Sequence, residues 1–391
     1  ATMRKTLSAV IRRELSRMTS RRIYLAACIV LPLFSLLFMA TIFGDGRMRE
    51  LPVGVVDADN SSTSRNIVRM VDATPELKVA KQYSNETEAR NDVKRKRIYA
   101  YLLIPPGFAQ KAGNNEEVTL SYYYHNAMLG VGGEVYAAFE QLLKQVSITP
   151  IVTTGVALGE ENESVISFLI PVTESSFPIY NANRNYLVYL GQPMFFIFLQ
   201  ILLLLVTTYA LGSESKFGTA DDWLQTAQGD IFIAVMGKLL PYTCIFILMG
   251  IAANYVFFGW LDIPLPNSLW TITGVTILFV CATQALALLL YSLFPALSLI
   301  ISIVSMVGSL GATLSGVTFP IRFMDTPVYA VSYLFPVRHF MEAVQMLQYA
   351  GGRFADYWTS IAALLLFMPL SLLLLPRLKN ALTTHRYAAF E

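Results

Sequence analysis

The sequence predicts an α-helical polytopic membrane protein, with six transmembrane helices plus an extracytoplasmic α/β domain. Three observations carry this. Charged residues make up 14% of the 391 positions and hydrophobic ones 54%, whereas soluble domains carry about 25% charge. Six windows hold no charged residue over a bilayer-crossing length, which takes about 20 residues. One long interval between the first two windows holds most of the charge and alternates strand-like with helix-like patterns. Sparse charge excludes a disordered chain, and three cysteines in this length exclude a disulfide scaffold. A net charge of +2 is too small to suggest a nucleic-acid partner. Cys28, Cys244 and Cys281 all lie in apolar runs and read as buried thiols.

The elements follow in chain order. In residues 1–22, Leu7, Val10, Ile11, Leu15 and Met18 recur at helical spacing, with Lys5, Arg12, Arg13 and Arg17 between them, as in an amphipathic helix lying in the headgroup plane. The spans are Ile23–Phe43, Tyr186–Leu211, Leu239–Leu261, Trp270–Phe294, Ala296–Phe319 and Trp358–Pro376. Basic residues crowd before the first span, and Arg377, Lys379 and Arg386 follow the last in the tail 377–391, so both termini are expected in the cytoplasm. Arg322, Arg338 and Arg353 pull the other way, but the first span usually dominates. The first run is longer than a signal-peptide core and reads as a retained span.

Residues 44–185 read as an α/β domain. Val53–Asp57, Leu77–Tyr83, Ile98–Ile104 and Val118–Tyr124 are strand-like, while Ser61–Asp72, Glu86–Arg97 and Leu129–Val146 are helix-like. Asp57 and Asp59 lie two apart in a turn, a spacing seen in metal loops, yet a strand end followed by a Ser or Asn helix cap is the simpler reading. His125 lacks a neighbour at ligand spacing. No catalytic or metal-binding set emerges.

Residues 186–376 hold the remaining spans, joined by a loop at 212–230 and a segment at 320–352 that is too polar to span and too apolar for a free loop. That second segment is expected to form short re-entrant helices, with Phe319, Pro320, Pro336 and His339 as an outer gate. Polar positions inside the spans, Gln192, Gln200, Thr207, Asn254 and Gln284, either line a translocation path or bond neighbouring helices. The missing mid-span charges speak against a proton- or ion-driven pump. Gly308, Gly311, Ala312 and Ser315 are small enough for close helix packing.

Four stretches resemble the ABC type-2 export permeases, in the subgroup with a large extracytoplasmic domain after the first span. They are Val55-Val-Asp-Ala-Asp-Asn-Ser61, then Tyr101-Leu-Leu-Ile-Pro-Pro-Gly-Phe108, then Glu214-Ser-Lys-Phe-Gly-Thr219 running through Leu224 to Gly237-Lys238, and last Leu314-Ser-Gly-Val-Thr-Phe-Pro320 with Leu334-Phe-Pro-Val-Arg-His339. Where that family commonly has a proline after the Gly-Thr and Leu positions, this chain reads Leu224-Gln-Thr-Ala-Gln228. The resemblance implies that the 212–230 loop and the amino-terminal helix dock on cytoplasmic ABC ATPase subunits, with Glu214, Lys216, Phe217, Gly218, Thr219, Asp222 and Leu224 as coupling residues. Glu214, Lys216, Asp221 and Asp222 are expected on the surface, and Phe217, Trp223 and Leu224 in a partner's cleft. It also implies a second copy or a similar permease meeting the first and fifth spans at a dimer interface, and a bacterial inner-membrane location. A periplasmic adaptor is a further expected partner, beside membrane lipid.

The chain has no Gly-rich phosphate loop, so it is expected to bind no cofactor and to carry no enzyme activity, with ATP and Mg on the partner ATPase. The expected function is the permease subunit of an exporter of amphipathic or hydrophobic cargo. A different class, a membrane-anchored receptor or assembly scaffold whose outer α/β domain binds a partner, stands as the alternative.

Overall fold

The computed structural model describes residues 2–44, 46, 48–114, 119–125, 129–157, 181, 184–349 and 351–384. The chain divides into two compact units, one of Ala1–Gly46 with Ile179–Glu391 and one of Arg47–Pro178. Arg386 and the Val118 end of the fourth expected strand lie outside the described residues.

The first unit is helical. It comprises α1 (Thr2–Ser20) and α2 (Arg22–Ile42), then α7 (Leu187–Lys216), α8 (Ala220–Thr226), α9 (Ile231–Trp260), α10 (Leu269–Leu293), α11 (Leu297–Thr313), α12 (Thr326–Ser332), α13 (Pro336–Tyr349) and α14 (Phe354–Thr383). Among the described residues α2, α7, α9, α10 and α14 are long and apolar enough to cross a membrane. Their faces leave large apolar side chains bare, among them Leu248 (64% exposed), Trp270 (84%) and Leu373 (73%). A water-soluble fold does not present such a surface, and lipid covers it without penalty. Cys244 belongs to that bare surface, so only Cys28 of the three thiols is buried as expected, with Cys281 between.

The fifth expected span departs from the sequence reading. Ala296–Phe319 is not one helix: α11 has 17 residues and stops at Thr313. Ser315 ends it, its hydroxyl donating to the Ala312 carbonyl at 2.7 Å and accepting from the Val317 N–H at 3.3 Å, and Gly316 follows in the left-handed region at φ 84°. Alongside α7, α11 runs from Gly212, where an added Cβ would meet Leu297 at 2.7 Å, to Gln200, whose Nε2 would lie 2.8 Å from a Cβ on Gly311. There the first turn of α13 takes over, with the Val337 N–H donating to Gln200 Oε1 at 3.0 Å. The far end of α13 reaches the turn before α10, where Asn267 Nδ2 donates to the Leu347 carbonyl at 3.0 Å. Thus α11 and α13 pack in succession along α7, in place of the one long helix expected over Ala296–Phe319. The expected short helices of 320–352 are a single 3₁₀ turn at Ile321–Phe323, α12 and α13.

The carboxyl-terminal tail also differs. After a break at Leu374, a further helical stretch, Leu375–Thr383, buries Leu375, Leu378 and Leu382 at helical spacing. Its half-buried Lys379 donates through Nζ to the Gly229 carbonyl at 2.6 Å, while the exposed Arg377 donates through Nη2 to the Leu293 carbonyl at 3.3 Å.

The second unit has a four-stranded sheet, β1 (Leu51–Asp57), β2 (Leu77–Tyr83), β3 (Ala100–Ile104) and β4 (Ser121–Tyr124), in the order β2-β1-β3-β4. Its first three strands are parallel, and β4 is antiparallel to β3. Between and after them lie α3 (Ser62–Asp72), α4 (Glu86–Lys94), α5 (Phe108–Gly113) and α6 (Leu129–Ala157). Alternation sorts the strands onto two faces. Val53, Val55, Leu102 and Ile104 pack with Ile67, Val71 and Phe139 of α3 and α6, while Val56, Tyr83 and Tyr101 pack with Ala89 of α4. Asp57 and Asp59 act as caps. Asp57 Oδ1 accepts the Asp59 and Asn60 N–H groups, both at 3.0 Å, and Oδ2 accepts the Ser64 hydroxyl at 2.7 Å. Asp59 Oδ2 accepts the Ala109 N–H at 3.2 Å, so the first two resembling motifs meet at the start of α5. The Ser61 hydroxyl and the amides of Ala109, Phe108 and Gly107 hold the Asp59 carboxyl below its ordinary value, against a smaller opposing pull from burial.

Candidate functional site at the α1–α8 junction

Glu214 lies in the last turn of α7 with its side chain fully buried. Charge cannot be buried without partners, and three cations from two other helices provide them. Arg13 of α1 forks onto it, with Nη1 to Oε1 at 2.7 Å and Nη2 to Oε2 at 3.0 Å. Arg17 Nη1 donates to the same Oε1, and its Nη2 to Ser213 Oγ at 3.0 Å. From α9, Lys238 Nζ reaches Glu214 Oε1 at 2.6 Å and Glu14 Oε2 at 2.5 Å. The other Glu14 oxygen accepts the Tyr242 hydroxyl at 2.6 Å. Burial opposes the Arg13 charge, but the bond to Glu214 and the surrounding carboxylates carry its pKa above the ordinary guanidinium value.

The same knot shapes the turn between α7 and α8. The Thr219 N–H donates to the Glu214 carbonyl at 2.8 Å, and its hydroxyl to Glu214 Oε2. Gly218 stands between them at φ 64° with open space around it, so backbone conformation, not crowding, calls for glycine. At the crossing of α1 and α9, a Cβ on Gly237 would lie 2.8 Å from Val10 Cβ. Leu224 is 6% exposed and Trp223 fully buried, its Nε1 donating to the Ala234 carbonyl at 3.2 Å. Every quoted position of the third resembling stretch therefore belongs to one junction.

This corrects part of the sequence reading. Glu214 is a buried hub and not an exposed docking charge; Trp223 and Leu224 fill the protein's own core and not a partner's cleft. The rim left bare is Lys216, Phe217, Gly218, Asp221 and Asp222, with the Arg21 guanidinium 4.2 Å from the Phe217 ring centre. Sequence reading missed Glu14, Ser213 and Tyr242. The usable signal was Glu14 itself: it follows Val10 by four and precedes Met18 by four, so an acid interrupts the apolar stripe of α1.

The other candidates are scattered. Asn254 Nδ2 donates to Thr276 Oγ1 at 2.9 Å and Gln284 Nε2 to the Leu239 carbonyl at 3.3 Å, with Thr243 donating to Gln284 Oε1; these bonds tie α9 to α10. Gln192, Gln200 and Thr207 are buried in α7, and Gln192 Nε2, Gln200 Nε2 and Thr207 Oγ1 have no hydrogen-bond partner among the described residues. Gly308 packs on Ile201 and Gly311 on Gln200, so both glycines are taken up within the chain; Ser315 is buried and Ala312 half-buried. Phe319 and Pro320 are exposed, whereas Pro336 and His339 are buried, with His339 Nε2 3.0 Å from the Tyr333 carbonyl. Among the described residues no three His, Cys, Asp or Glu side chains cluster as metal ligands would.

Apolar helices of bilayer length around a buried charged junction define a multi-pass helical membrane protein. The family model described as ABC-2 family transporter protein matches residues 22–375, and the chain belongs to that family of membrane transport components. No curated protein matches the chain. The match begins after α1, so Arg13, Glu14 and Arg17 lie ahead of it while Glu214 and Lys238 lie within.

Proposed function

We propose that this chain is the membrane-spanning half of an ATP-driven exporter in a bacterial inner membrane, with both termini cytoplasmic and the α/β unit outside. Two copies, or one copy and a similar permease, pair with two ATPase subunits, and the cargo is amphipathic or hydrophobic. The supporting observation is the Glu214 knot. By locking α1, the α7–α8 turn and α9 together through buried ion pairs, it makes a rigid body whose bare rim offers Lys216, Phe217 and Asp222 to an ATPase. A push on that rim moves the ends of α7 and α9 together, because the charges between them cannot part without stranding one another. Gln192, Gln200 and Thr207, each with a buried polar atom that has no partner among the described residues, are proposed to border the route; Phe319, Pro320, Pro336 and His339 are proposed to close it at the other end. A second copy would face the exposed side of α11, at Ser302, Met306, Ser309 and Thr313.

The test uses the complex purified from native membranes. Phe217→Ala together with Asp222→Ala is expected to leave thermal stability within about 0.5 kcal/mol, as for other surface changes, while ATPase co-purification and cargo-stimulated hydrolysis drop severalfold or more. Unchanged assembly and unchanged coupled transport would refute the docking assignment.

A further inference from the structure

At the break between α11 and α13 the protein buries hydrogen-bond donors without acceptors. Gln200 is 1% exposed. Because its Oε1 accepts the Val337 N–H, the other side-chain atom is the amide donor, and that Nε2 has no partner among the described residues. The next residue of α13, Arg338, is 3% exposed, and its Nε and Nη1 have no partner either. Tyrosine rings cover the guanidinium, with Tyr333 at 3.7 Å and Tyr329 at 4.9 Å. The rings attract its charge, and the Tyr329 hydroxyl bonds to the guanidinium, but Nε and Nη1 stay without an acceptor among the described residues. Glu342, one turn along, accepts the Ser360 hydroxyl at 3.2 Å. The first turn of a 14-residue helix adds the positive end of its dipole. Glu342 is the acid of this neighbourhood, and its charge reaches Tyr329 and His339, yet Arg338 Nε and Nη1 still have no acceptor among the described residues. A buried guanidinium in that condition calls for an anion.

We propose that the first turn of α13 binds the oxyanion headgroup, phosphate or carboxylate, of an amphiphile. The oxyanion accepts a charge-assisted bond from the Arg338 guanidinium, at one of the two N–H atoms, Nε and Nη1, that have no partner among the described residues. The apolar tail has company at hand, since Val328, Val331 and Leu334 on and beside α12 are 42%, 45% and 63% exposed. Naming this amphiphile as cargo rests on the exporter reading; the binding itself does not.

The experiment is calorimetric titration of the full chain in maltoside micelles with dihexanoyl phosphatidic acid, dihexanoyl phosphatidylcholine and inorganic phosphate. Phosphatidic acid is expected to bind at least tenfold more tightly than phosphatidylcholine, and Arg338→Gln to erase that preference. If inorganic phosphate binds as tightly as phosphatidic acid, the amphiphile is overturned and the ligand is a free anion. Binding unchanged in a folded Arg338→Gln protein overturns the site and leaves Arg338 as a stacking residue. Should Arg338→Gln fail to fold, Arg338→Lys decides, because lysine keeps the charge and loses the planar guanidinium with its fixed N–H directions: a preference cut severalfold upholds the site, an unchanged one sinks it. Because no ATPase takes part, failure of the exporter reading would show separately, as a permease that binds the acid yet stimulates no hydrolysis.

Discussion

Two of the places where the helical unit buries polar groups treat them in opposite ways. At the α1–α8 junction two carboxylates, three cations, a threonine and a tyrosine satisfy one another. At the α11–α13 break an arginine and a glutamine keep donors that nothing among the described residues accepts. A saturated cluster gains by staying closed, since each ion pair holds only while its partners stay in place. An unsaturated one gains by taking something up. On the readings proposed above, the first transmits force and the second binds, and α7 carries a residue of each, Glu214 and Gln200.

The largest effect expected from this contrast is at Lys238. Lys238→Met strands Glu14 and loses one of the bonds to Glu214, so it is expected to cost about 3–5 kcal/mol, the usual result of removing one partner from a buried pair. Thermal unfolding of the purified chain measures it, and a loss below about 1 kcal/mol would mean that water reaches the junction. Gln200→Leu sharpens the other side. It removes an unsatisfied donor but also the acceptor for the Val337 N–H, so about 1–3 kcal/mol is expected, well short of the Lys238 loss. Equal losses at the two places would dissolve the distinction between them.

A smaller effect lies in the α/β unit, where Asp59 is held by donors as Glu214 is, but near solvent. Its pKa is depressed in the fold, so its contribution is present above the unfolded aspartate value and is lost as pH falls through the folded one. Hydrogen exchange of the full chain is expected to show Phe108 and Ala109 losing protection over that acidic range, and Asp59→Asn flattening the dependence. Protection independent of pH in the native chain would remove Asp59 as a cap.

Much of this was legible from residue order. Charge-free runs placed the spans because lipid excludes unpaired charge whatever the neighbours are. Period-two and helical patterns placed Leu77–Tyr83 and the helix beginning at Leu129, because alternation reports which face is covered. The motif positions Glu214, Gly218, Thr219 and Lys238 were visible as a set. Their direction was not: Glu214 next to Lys216 in a polar loop reads as exposed, and nothing local says that α1, two hundred residues earlier, folds back over it.

Residue order determined which five helices are long and apolar enough to cross a membrane, where the α/β unit lies along the chain and which family the chain resembles, since each depends on composition or short-range spacing. Tertiary structure alone decided that Glu14, Glu214 and Lys238 neutralise one another, and that the helix expected over Ala296–Phe319 stops at Thr313, with α13 reaching α7 at Gln200. The physical reason is the same for both. Whether a buried polar group is satisfied depends on partners far apart in the chain, and only folding brings them within hydrogen-bond reach.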